Sequence, residues 1–350
     1  MPRWIFILLV VLFYQILLWG VTYSLRWVLG LNSFKWQTLT LFILANGLLV
    51  IAMMRIYHGS IAVFASILAL LWIWTIVALV IAILWLILGH KAEVTLRILL
   101  PVGFLGLVLW GWFNAYSPVV RYFNIHIDKP VSPFKVMVAS DLHLGKQVGI
   151  KALDKLAALA EREKPDIILL PGDIINDTAA PYLAKNMFTH LGKLKATHGV
   201  YATLGNHEFY GNAKENADAI RLSGIKLLRN ESVEVSKKFI VIGRDDDHAE
   251  HRPPLEKLIP KNTQLPILVM DHRPTEIEEA SHLPIDIQVS GHTHKGQIFP
   301  ANFITKLVYL LDYGYKNIND RHFFVTSGYG FWGIPLRLGS RAEIFIINVN

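Results

Sequence analysis

The sequence predicts an α/β protein in which two packed sheets carry helices on their outer faces, preceded by an all-α bundle of four transmembrane helices. Two observations lead to this prediction. The first 116 residues hold four nearly uncharged apolar stretches. The remaining residues alternate short runs of Val, Ile and Leu with amphipathic helical patterns, and they end in mainly strand-like segments. Alternating strand and helix units followed by β segments indicate two sheets rather than one doubly wound layer.

The N-terminal domain, residues 1–116, is predicted to cross a membrane four times. Each of its apolar stretches reaches the roughly 20 residues that are needed to cross about 30 Å of hydrocarbon. Nine of the ten tryptophans lie in this domain, together with six Lys or Arg residues and a single acid, Glu93. Trp and Tyr near the ends of the stretches are typical of a membrane–water interface. The four stretches are residues 4–25, 36–54, 61–89 and 98–120.

The basic residues that flank the predicted spans do not assign an orientation. With both termini inside, four of these residues would face the cytoplasm and four would face the other side, so the positive-inside rule finds no bias. The first four are Arg3, Arg55, Arg121 and Lys129, and the second four are Arg26, Lys35, Lys91 and Arg97. The sequence therefore predicts a multi-pass protein of the cell membrane and leaves the side of its C-terminal domain open.

The formal net charge of +7 does not indicate nucleic-acid binding. Residues 117–350 hold 28 basic against 26 acidic side chains, without a basic block. A protein that follows a nucleic-acid backbone needs clustered Lys and Arg to neutralise phosphates. The chain also has no cysteine, which excludes disulfides and thiolate metal ligands.

The elements after the spans follow one another in a regular order. Residues 117–133 contain three prolines around the alternating stretch 119–127, which predicts a linker that becomes a first edge strand. Apolar residues at helical spacing predict helices at residues 151–163, 181–195 and 213–222. Residues 224–241 are strand-like, and the last fifty residues hold further strands with Gly-rich turns.

Five short apolar runs in this domain each end in a cluster of Asp, Asn or His. The runs are residues 134–140, 166–171, 200–204, 266–270 and 285–290. The clusters are Asp141-Leu142-His143, Gly172-Asp173, Gly205-Asn206-His207-Glu208, Asp271-His272 and Gly291-His292-Thr293-His294. Runs of this length that are rich in Val, Ile and Leu are typical of buried strands. Polar groups at several strand ends converge on one edge of a sheet, where open α/β folds place their sites.

The chemistry of these clusters predicts a metal centre. Carboxylate, amide and imidazole ligands without thiolate favour Mn, Fe or Zn. One metal needs about four protein ligands, so the larger number of candidates favours two metals. A two-metal site needs a bridging carboxylate, with the ions about 3.5–4 Å apart. Asp173 is the natural bridge, because Gly172 before it allows the backbone to approach an ion closely.

The order of the motifs resembles the calcineurin-like metallophosphoesterase superfamily. The chain shows D-x-H, G-D, G-N-H-E, a single later His and then G-H-x-H, and the likeness extends from about residue 134 to the C-terminus. The resemblance implies a metallophosphoesterase domain at residues 134–350, built as a four-layer αββα sandwich of two mixed sheets. The four spans lie outside the shared part, although some bacterial members carry such membrane segments.

The resemblance also implies a role for each residue of the site. One metal ion would be held by Asp141, His143 and His294, and the other by Asn206, His272 and His292. Asp173 would join the two ions. His207 would lie over the leaving-group oxygen as a catalytic residue. Glu208 would orient the His207 side chain. Two cations would lower the pKa of a shared water and hold phosphorus for in-line attack.

Three further segments allow two interpretations each. The Gly-rich tail, residues 327–337, permits tight turns, or else Arg337 binds a substrate phosphate. The apolar segment from Phe299 to Tyr315 packs in the core, or else it forms a lipid-facing lip beside the site. The charged run from Arg244 to His248 is a solvated loop, or else a third metal site. The other histidines are predicted to be surface or core residues: His126, His190, His198, His248, His251, His282 and His322.

The predicted function is hydrolysis of a phosphate ester or pyrophosphate bond at the membrane by two divalent metal ions. The predicted substrate is lipid-linked: a phospholipid, a lipid-linked pyrophosphate or a nucleotide-activated glycolipid. A second hypothesis is a phosphodiesterase or protein phosphatase acting on soluble substrates, with the spans only as an anchor. A third is a membrane sensor or scaffold whose metal site is structural.

Overall fold

The computed structural model describes residues 3–33, 35–54 and 60–350. Arg55, one of the residues in the charge comparison across the predicted spans, lies outside these ranges. The chain divides into two compact units, Met1–Trp112 and Phe113–Asn350.

The N-terminal unit is built from long apolar helices. Among the described residues, four helices are long and apolar enough to cross a membrane by length and composition, which confirms the predicted four helices of membrane-span length. Two polar side chains in these helices show hydrogen bonds to partners inside the unit, which a hydrocarbon environment favours. The hydroxyl of Tyr14 donates to the carbonyl of Ala45 at 2.9 Å, and the indole N–H of Trp74 donates to Ser24 Oγ at 2.8 Å. The helices are α1 (Arg3–Val28), α2 (Lys35–Met53), α3 (Ser60–Leu88) and α4 (Glu93–Tyr116).

The C-terminal unit contains twelve strands and seven further helices. The strands are β1 (Val119–Ile125), β2 (Phe134–Val138), β3 (Ile167–Pro171), β4 (Val200–Thr203), β5 (Lys226–Leu227), β6 (Glu231–Val235), β7 (Phe239–Arg244), β8 (Ile267–Asp271), β9 (Ile287–Ser290), β10 (Gly314–Ile318), β11 (Arg321–Val325) and β12 (Glu343–Val349). The helices are α5 (Ile150–Glu163), α6 (Ala180–Ala184), α7 (Met187–Leu191), α8 (Asn206–Tyr210), α9 (Ala213–Arg221), α10 (Ile277–Ser281) and α11 (Ala301–Val308).

The strands form two mixed sheets. The first has the order β1-β12-β2-β3-β4-β5, in which β2 to β5 are parallel and β12 pairs antiparallel with β2. The second has the order β10-β11-β9-β8-β7-β6, in which β11, β9, β8 and β7 are parallel and the two outer strands are antiparallel. β1 lies at the edge of the first sheet and pairs with β12.

The two sheets pack face to face and carry helices outside. Side chains alternate between the two faces of a strand, so each sheet can bury both sides. Between the sheets lie Val136, Val138, Leu169 and Phe345 from one side and Val241, Leu268, Met270 and Phe324 from the other. Met137, Ile168 and Ile346 face away and pack with residues of α5, α7 and α9, while Ile242 and Val269 pack with α10. The predicted αββα sandwich of two mixed sheets after four helices is confirmed.

One predicted helix differs from the structure. The sequence predicts a single helix over residues 181–195, but the structure has two short helices, α6 and α7. They are separated at Asn186, whose backbone is left-handed with φ 50°. Asn tolerates this conformation better than most residues because its short polar side chain bonds locally, so the chain can turn there. Apolar spacing alone did not show the break.

Replacing Phe345 by Ala should lower the free energy of unfolding of the C-terminal unit by about 3–5 kcal/mol. Phe345 is fully buried between the sheets, and its ring centroid lies 4.8 Å from that of Phe123. Proteolysis of the full-length protein at increasing denaturant measures the change. Leu222→Ala, at an exposed position, is the control and should shift the transition by less than about 0.5 kcal/mol. Equal midpoints for the two variants would contradict this assignment of the core.

Candidate metal centre

The candidate site lies where the carboxyl ends of five parallel strands meet. β2, β3 and β4 supply three motifs from one sheet, and β8 and β9 supply two from the other. Hydrogen bonds tie these strand ends together. His143 donates its backbone N–H to the carbonyl of Asp173 at 2.9 Å within the first sheet. His272 reaches across to the first sheet, with its Nδ1 at 2.8 Å from the carbonyl of Pro171.

The backbone turns sharply at most of these strand ends. Five candidate ligands have a left-handed backbone, with φ between 47° and 68°: Asp141, His143, Asp173, His292 and His294. Such conformations cost about 1–3 kcal/mol each and persist only where the surroundings enforce them. Each turn brings a side chain from the end of its strand toward the common centre. Five of the seven candidate ligands therefore lie on strained backbone.

Two glycines allow the motifs to approach one another. A Cβ on Gly205 would collide with the carboxylate of Asp173, and a Cβ on Gly291 would collide with the carboxylate of Asp141. Neither position could carry a side chain without displacing a candidate ligand. The glycine at each motif is therefore required by close packing around the carboxylates.

The first group of ligand candidates consists of Asp141, His143 and His294. All three side chains are buried, and one ligand atom from each lies within 4.8 Å of the others. The Nε2 atoms of His143 and His294 are 3.0 Å apart, and His294 Nε2 is 3.4 Å from Asp141 Oδ1. The three side chains thus point at one shared volume.

The second group consists of Asn206, His272 and His292. The amide oxygen of Asn206 lies 3.0 Å from His272 Nε2 and 2.8 Å from His292 Nδ1. Asp173 lies between the two groups, because its Oδ2 is 3.2 Å from His272 Nε2 and 3.8 Å from His143 Nε2. The structure brings all seven predicted ligands together, with Asp173 in the middle.

The residues of this cluster suit divalent metal ions. His143 Nδ1 is buried and has no hydrogen-bond partner among the residues that the structure describes. Two imidazole nitrogens that face each other at 3.0 Å cannot both carry a proton. The donor set of carboxylate, amide and imidazole without thiolate matches Mn, Fe or Zn. The site therefore fits the pair of ions that the sequence predicts.

The protonation of the histidines favours metal binding. Burial and the nearby His207 lower the pKa of His143 to about 3, and burial and the nearby His272 lower that of His292 to about 3. These imidazoles are neutral at neutral pH and have a lone pair for a metal. His272 differs, because the negative charge of Asp173 outweighs burial and raises its pKa to about 10. The metal-free cluster thus keeps a proton on His272, which an incoming ion must displace.

His207 belongs to neither predicted ligand group, although one of its ring nitrogens lies within 4.8 Å of ligand atoms of His143 and Asp173. Its ring is buried against that of His143, with centroids 4.5 Å apart. Its Nδ1 lies 2.7 Å from Asp177 Oδ1, and its Nε2 lies 4.0 Å from Asp173 Oδ2. Burial by itself lowers the pKa of His207, but the hydrogen bond to Asp177 and the charge of Asp173 outweigh burial and raise it.

The structure assigns Glu208 a different role from the predicted one. Its buried carboxylate accepts the backbone N–H groups of Asp173, Ile175 and Gly205, at 3.1, 2.7 and 2.7 Å. It therefore fixes the loops that carry the ligands, while Asp177 holds the ring of His207. Asp177 was not among the site residues predicted from the sequence. The available signal was an acid four residues after Asp173 in a polar turn.

Arg337 is fully buried beside His294. Its guanidinium lies 3.1 Å from His294 Nδ1 and donates to the carbonyl oxygens of Gly328 and Gly330. Burial lowers the pKa of Arg337 to about 10. The absence of exposed surface on this side chain argues against the predicted contact with a substrate phosphate. Its contacts instead position His294 and the Gly-rich turn.

The charged run from Arg244 to His248 forms ion pairs instead of a third metal site. Asp245 binds Arg229 at 2.8 Å, and Asp246 binds both Arg273 and His248 at 2.6 Å. These carboxylates are buried and paired with cations, so neither has a free oxygen pair for a metal. Arg244, Asp245 and Asp246 are buried, whereas Asp247 and His248 are exposed, so only the end of the run is the solvated loop that the sequence suggests.

A cavity of about 270 Å³ opens beside the cluster. His207, Tyr210, His292, Gln297 and Trp332 are among the residues that line it. This volume accommodates a phosphoryl group with part of its substituent. The wall formed by residues 292–297 leads directly into α11.

Comparisons with known proteins agree with this arrangement. A family model described as Calcineurin-like phosphoesterase matches residues 134–296. An uncharacterised metallophosphoesterase of Campylobacter jejuni is 30% identical over 79% of this chain and 76% of that protein. A protein of Bos taurus named transmembrane protein with metallophosphoesterase domain is 31% identical, over 67% of this chain and 58% of that protein. Phosphodiesterase YaeI of Escherichia coli is 27% identical, over 68% of this chain and 89% of that protein.

Substituting the ligands should separate the two metal positions. We expect the wild-type chain to bind two divalent ions, about one ion to remain in His143→Asn or His292→Asn, and both ions to be lost in Asp173→Asn. Elemental analysis of protein dialysed against Mn²⁺ measures the stoichiometry. His190→Asn is the matched control, because His190 pairs with Asp154 on a different surface. A variant of Asp173 that still held two ions would contradict the bridging position.

Proposed function

Because the chain belongs to the calcineurin-like phosphoesterases, we propose that it hydrolyses a phosphate ester or pyrophosphate bond of a lipid-linked substrate at the cell membrane. Metal-dependent phosphoesterase chemistry follows from the family, whose members use divalent metal ions. The lipid-linked substrate and the cell-membrane location are our inference. One observation carries them: the convergent ligand cluster lies beside an exposed apolar helix, in a chain with four helices of membrane-span length.

The ligand geometry supports one role for each group in the centre. Asp141, His143 and His294 would hold one divalent ion, and Asn206, His272 and His292 would hold the other, with Asp173 between them. Bound there, two ions supply a water of lowered pKa and a positive clamp for the phosphoryl oxygens. Glu208 and Arg337 keep the ligand loops in place, so that little reorganisation is needed when the substrate arrives.

His207 is the candidate proton donor to the leaving oxygen. The carboxylate of Asp177 holds the Nδ1 side of the ring at 2.7 Å, which orients Nε2 toward the side where Asp173 and the cavity lie. The same carboxylate favours the protonated ring. A protonated imidazole beside the cavity can protonate an alkoxide leaving group as the bond to phosphorus breaks.

Substitutions at His207 and Asp177 should affect poor leaving groups most. For an alkyl phosphodiester, which leaves as a basic alkoxide, His207→Ala should lower kcat by about 10²–10⁴-fold. Asp177→Asn should lower kcat by about 10–100-fold, because the ring loses its oriented partner. A nitrophenyl ester needs little proton donation, so its kcat should fall much less in both variants.

Steady-state kinetics with the two esters give the ratio directly. Asp154→Asn is the matched control, because Asp154 also pairs with a histidine at 2.7 Å but on a different surface. Equal losses for the alkyl and nitrophenyl esters would mean that His207 acts on the ligand geometry and not on the leaving group.

A substrate panel tests the lipid-linked class. Purified full-length protein loaded with Mn²⁺ is assayed against phospholipids, lipid-linked pyrophosphates and soluble phosphodiesters under the same conditions. We expect higher kcat/KM for the lipid-linked substrates, because an apolar surface beside the cavity can bind acyl chains. Equal or better turnover of soluble nucleotides would defeat the lipid hypothesis and favour a soluble phosphodiesterase.

Removal of residues 1–116 is a second way to distinguish a lipid-linked substrate from a soluble one. If the spans serve only as an anchor for an enzyme with soluble substrates, the truncated protein keeps its activity. If the substrate is presented in a bilayer, turnover of the lipid should collapse. Retention of all biological activity by an Asp173→Asn or His207→Ala variant would instead favour a sensor or scaffold with a structural metal site.

A further inference from the structure

α11 has an inverted polarity for a surface helix of a soluble domain. Its side chains Phe303, Ile304, Leu307 and Val308 are all exposed, with Leu307 at 86%. The polar side is turned to the protein, where Thr305 Oγ1 donates to Asp312 Oδ2 at 2.8 Å. A helix on a water-exposed surface places its apolar stripe toward the core. The core packing that the sequence allowed for this segment is therefore not what α11 does.

The exposed apolar surface extends beyond the helix itself. Phe299 precedes α11, Leu310 follows it and Trp332 lies on the neighbouring Gly-rich turn, and all three are exposed. We call these three residues, together with the four exposed apolar side chains of α11, the apolar lip. The rings of Phe299 and Phe303 lie 5.7 Å apart, and large exposed apolar patches mark interaction sites.

Hydrogen bonds join the apolar lip to the metal motif. Thr293, between two candidate ligands, donates its hydroxyl to the carbonyl of Asp312 at 2.7 Å. Gln297 binds the backbone of Trp332 from both sides, accepting its N–H at 3.0 Å and donating to its carbonyl at 2.8 Å. Trp332 also lines the cavity, with its ring 6.4 Å from that of His207. The lip is thus a fixed rim of the catalytic cavity.

We propose that the apolar lip inserts into the interface of a lipid bilayer. The charges around it favour this occupant over a basic protein surface. Lys306 on α11 and Lys316 in β10 are exposed, and they outnumber Asp312, the single acid in residues 299–316, whose carboxylate accepts the hydroxyl of Thr305. Basic side chains at the edge of an apolar face suit anionic headgroups. Trp332 adds an amphipathic ring of the kind that is typical of interfacial belts.

Insertion of the lip would determine how a substrate reaches the metal centre. This part of the inference rests on the proposed function. An interfacial helix lies with its apolar face about 5–10 Å inside the boundary between headgroups and acyl chains. With the lip at that depth, the adjoining cavity faces the layer in which lipid phosphates lie. A lipid-linked phosphate could then enter while its acyl chains stay in hydrocarbon.

The absence of cysteine makes a direct test simple. A single cysteine in Leu307→Cys is labelled with the fluorophore NBD in the full-length protein, in vesicles of phosphatidylcholine and phosphatidylglycerol. We expect blue-shifted emission and a loss of fluorescence when nitroxide-labelled lipids are included. Leu222→Cys is the matched control, because Leu222 is also an exposed leucine but lies after α9, away from the lip. It should show neither effect.

Two outcomes would overturn the proposal. Identical, unquenched emission from positions 307 and 222 would show that the lip stays in water. A blue shift at position 307 without quenching by nitroxide lipids would show that protein covers the lip, such as a second copy of the chain.

A kinetic arm separates this inference from the proposed function. In Ile304→Ser/Leu307→Ser, the ratio of lipid-ester to soluble-ester turnover should fall relative to wild type, with Leu222→Ser as control. An unchanged ratio would overturn the role of the lip in substrate entry. A wild-type protein that hydrolyses neither ester would defeat the proposed function, while the fluorescence result would still decide whether the lip inserts.

Discussion

The buried carboxylate of Asp173 is the interaction on which the site depends. It lies within 4 Å of imidazole nitrogens from both sheets, those of His143 and His272. A buried carboxylate is costly unless cations and hydrogen bonds surround it. Here its Oδ1 accepts the backbone N–H of His207 at 2.9 Å, and the neighbouring histidines supply positive charge or metal ligands. The carboxylate of Asp173 therefore interacts with histidines from both sheets at the edge where the sheets meet.

This centre explains the unusual backbone around it. Left-handed turns at five ligands are individually unfavourable, but parallel strands on both sides and the Glu208 carboxylate leave the loops no alternative. Backbone strain in the loops lowers the stability of the fold. Burial of core side chains such as Phe345 and Phe324 between the sheets offsets this loss. This distribution of strain is physically reasonable, because metal ligands must be held in fixed directions even where that requires an unfavourable backbone conformation.

The same rigidity extends outward to the surface. Gln297 and Thr293 connect the metal motif to the Trp332 turn and to the segment after α11. The exposed apolar lip is thus hydrogen-bonded to the loop that carries the candidate ligands His292 and His294. Burial in lipid would remove this apolar area from water. The same chain has an N-terminal unit built from helices of membrane-span length.

The amino-acid sequence by itself determined the class of the protein and the identity of the candidate ligands. Runs of Val, Ile and Leu ending in Asp, Asn and His carry this information locally, as does the length of four uncharged stretches. Only the tertiary structure decided what the neighbours of the ligands do. It paired His207 with Asp177, directed Glu208 to backbone N–H groups, buried Arg337 and turned α11 outward. These outcomes depend on where a turn points a side chain and on which distant segment packs against it. Neither can be deduced from residue type and spacing alone.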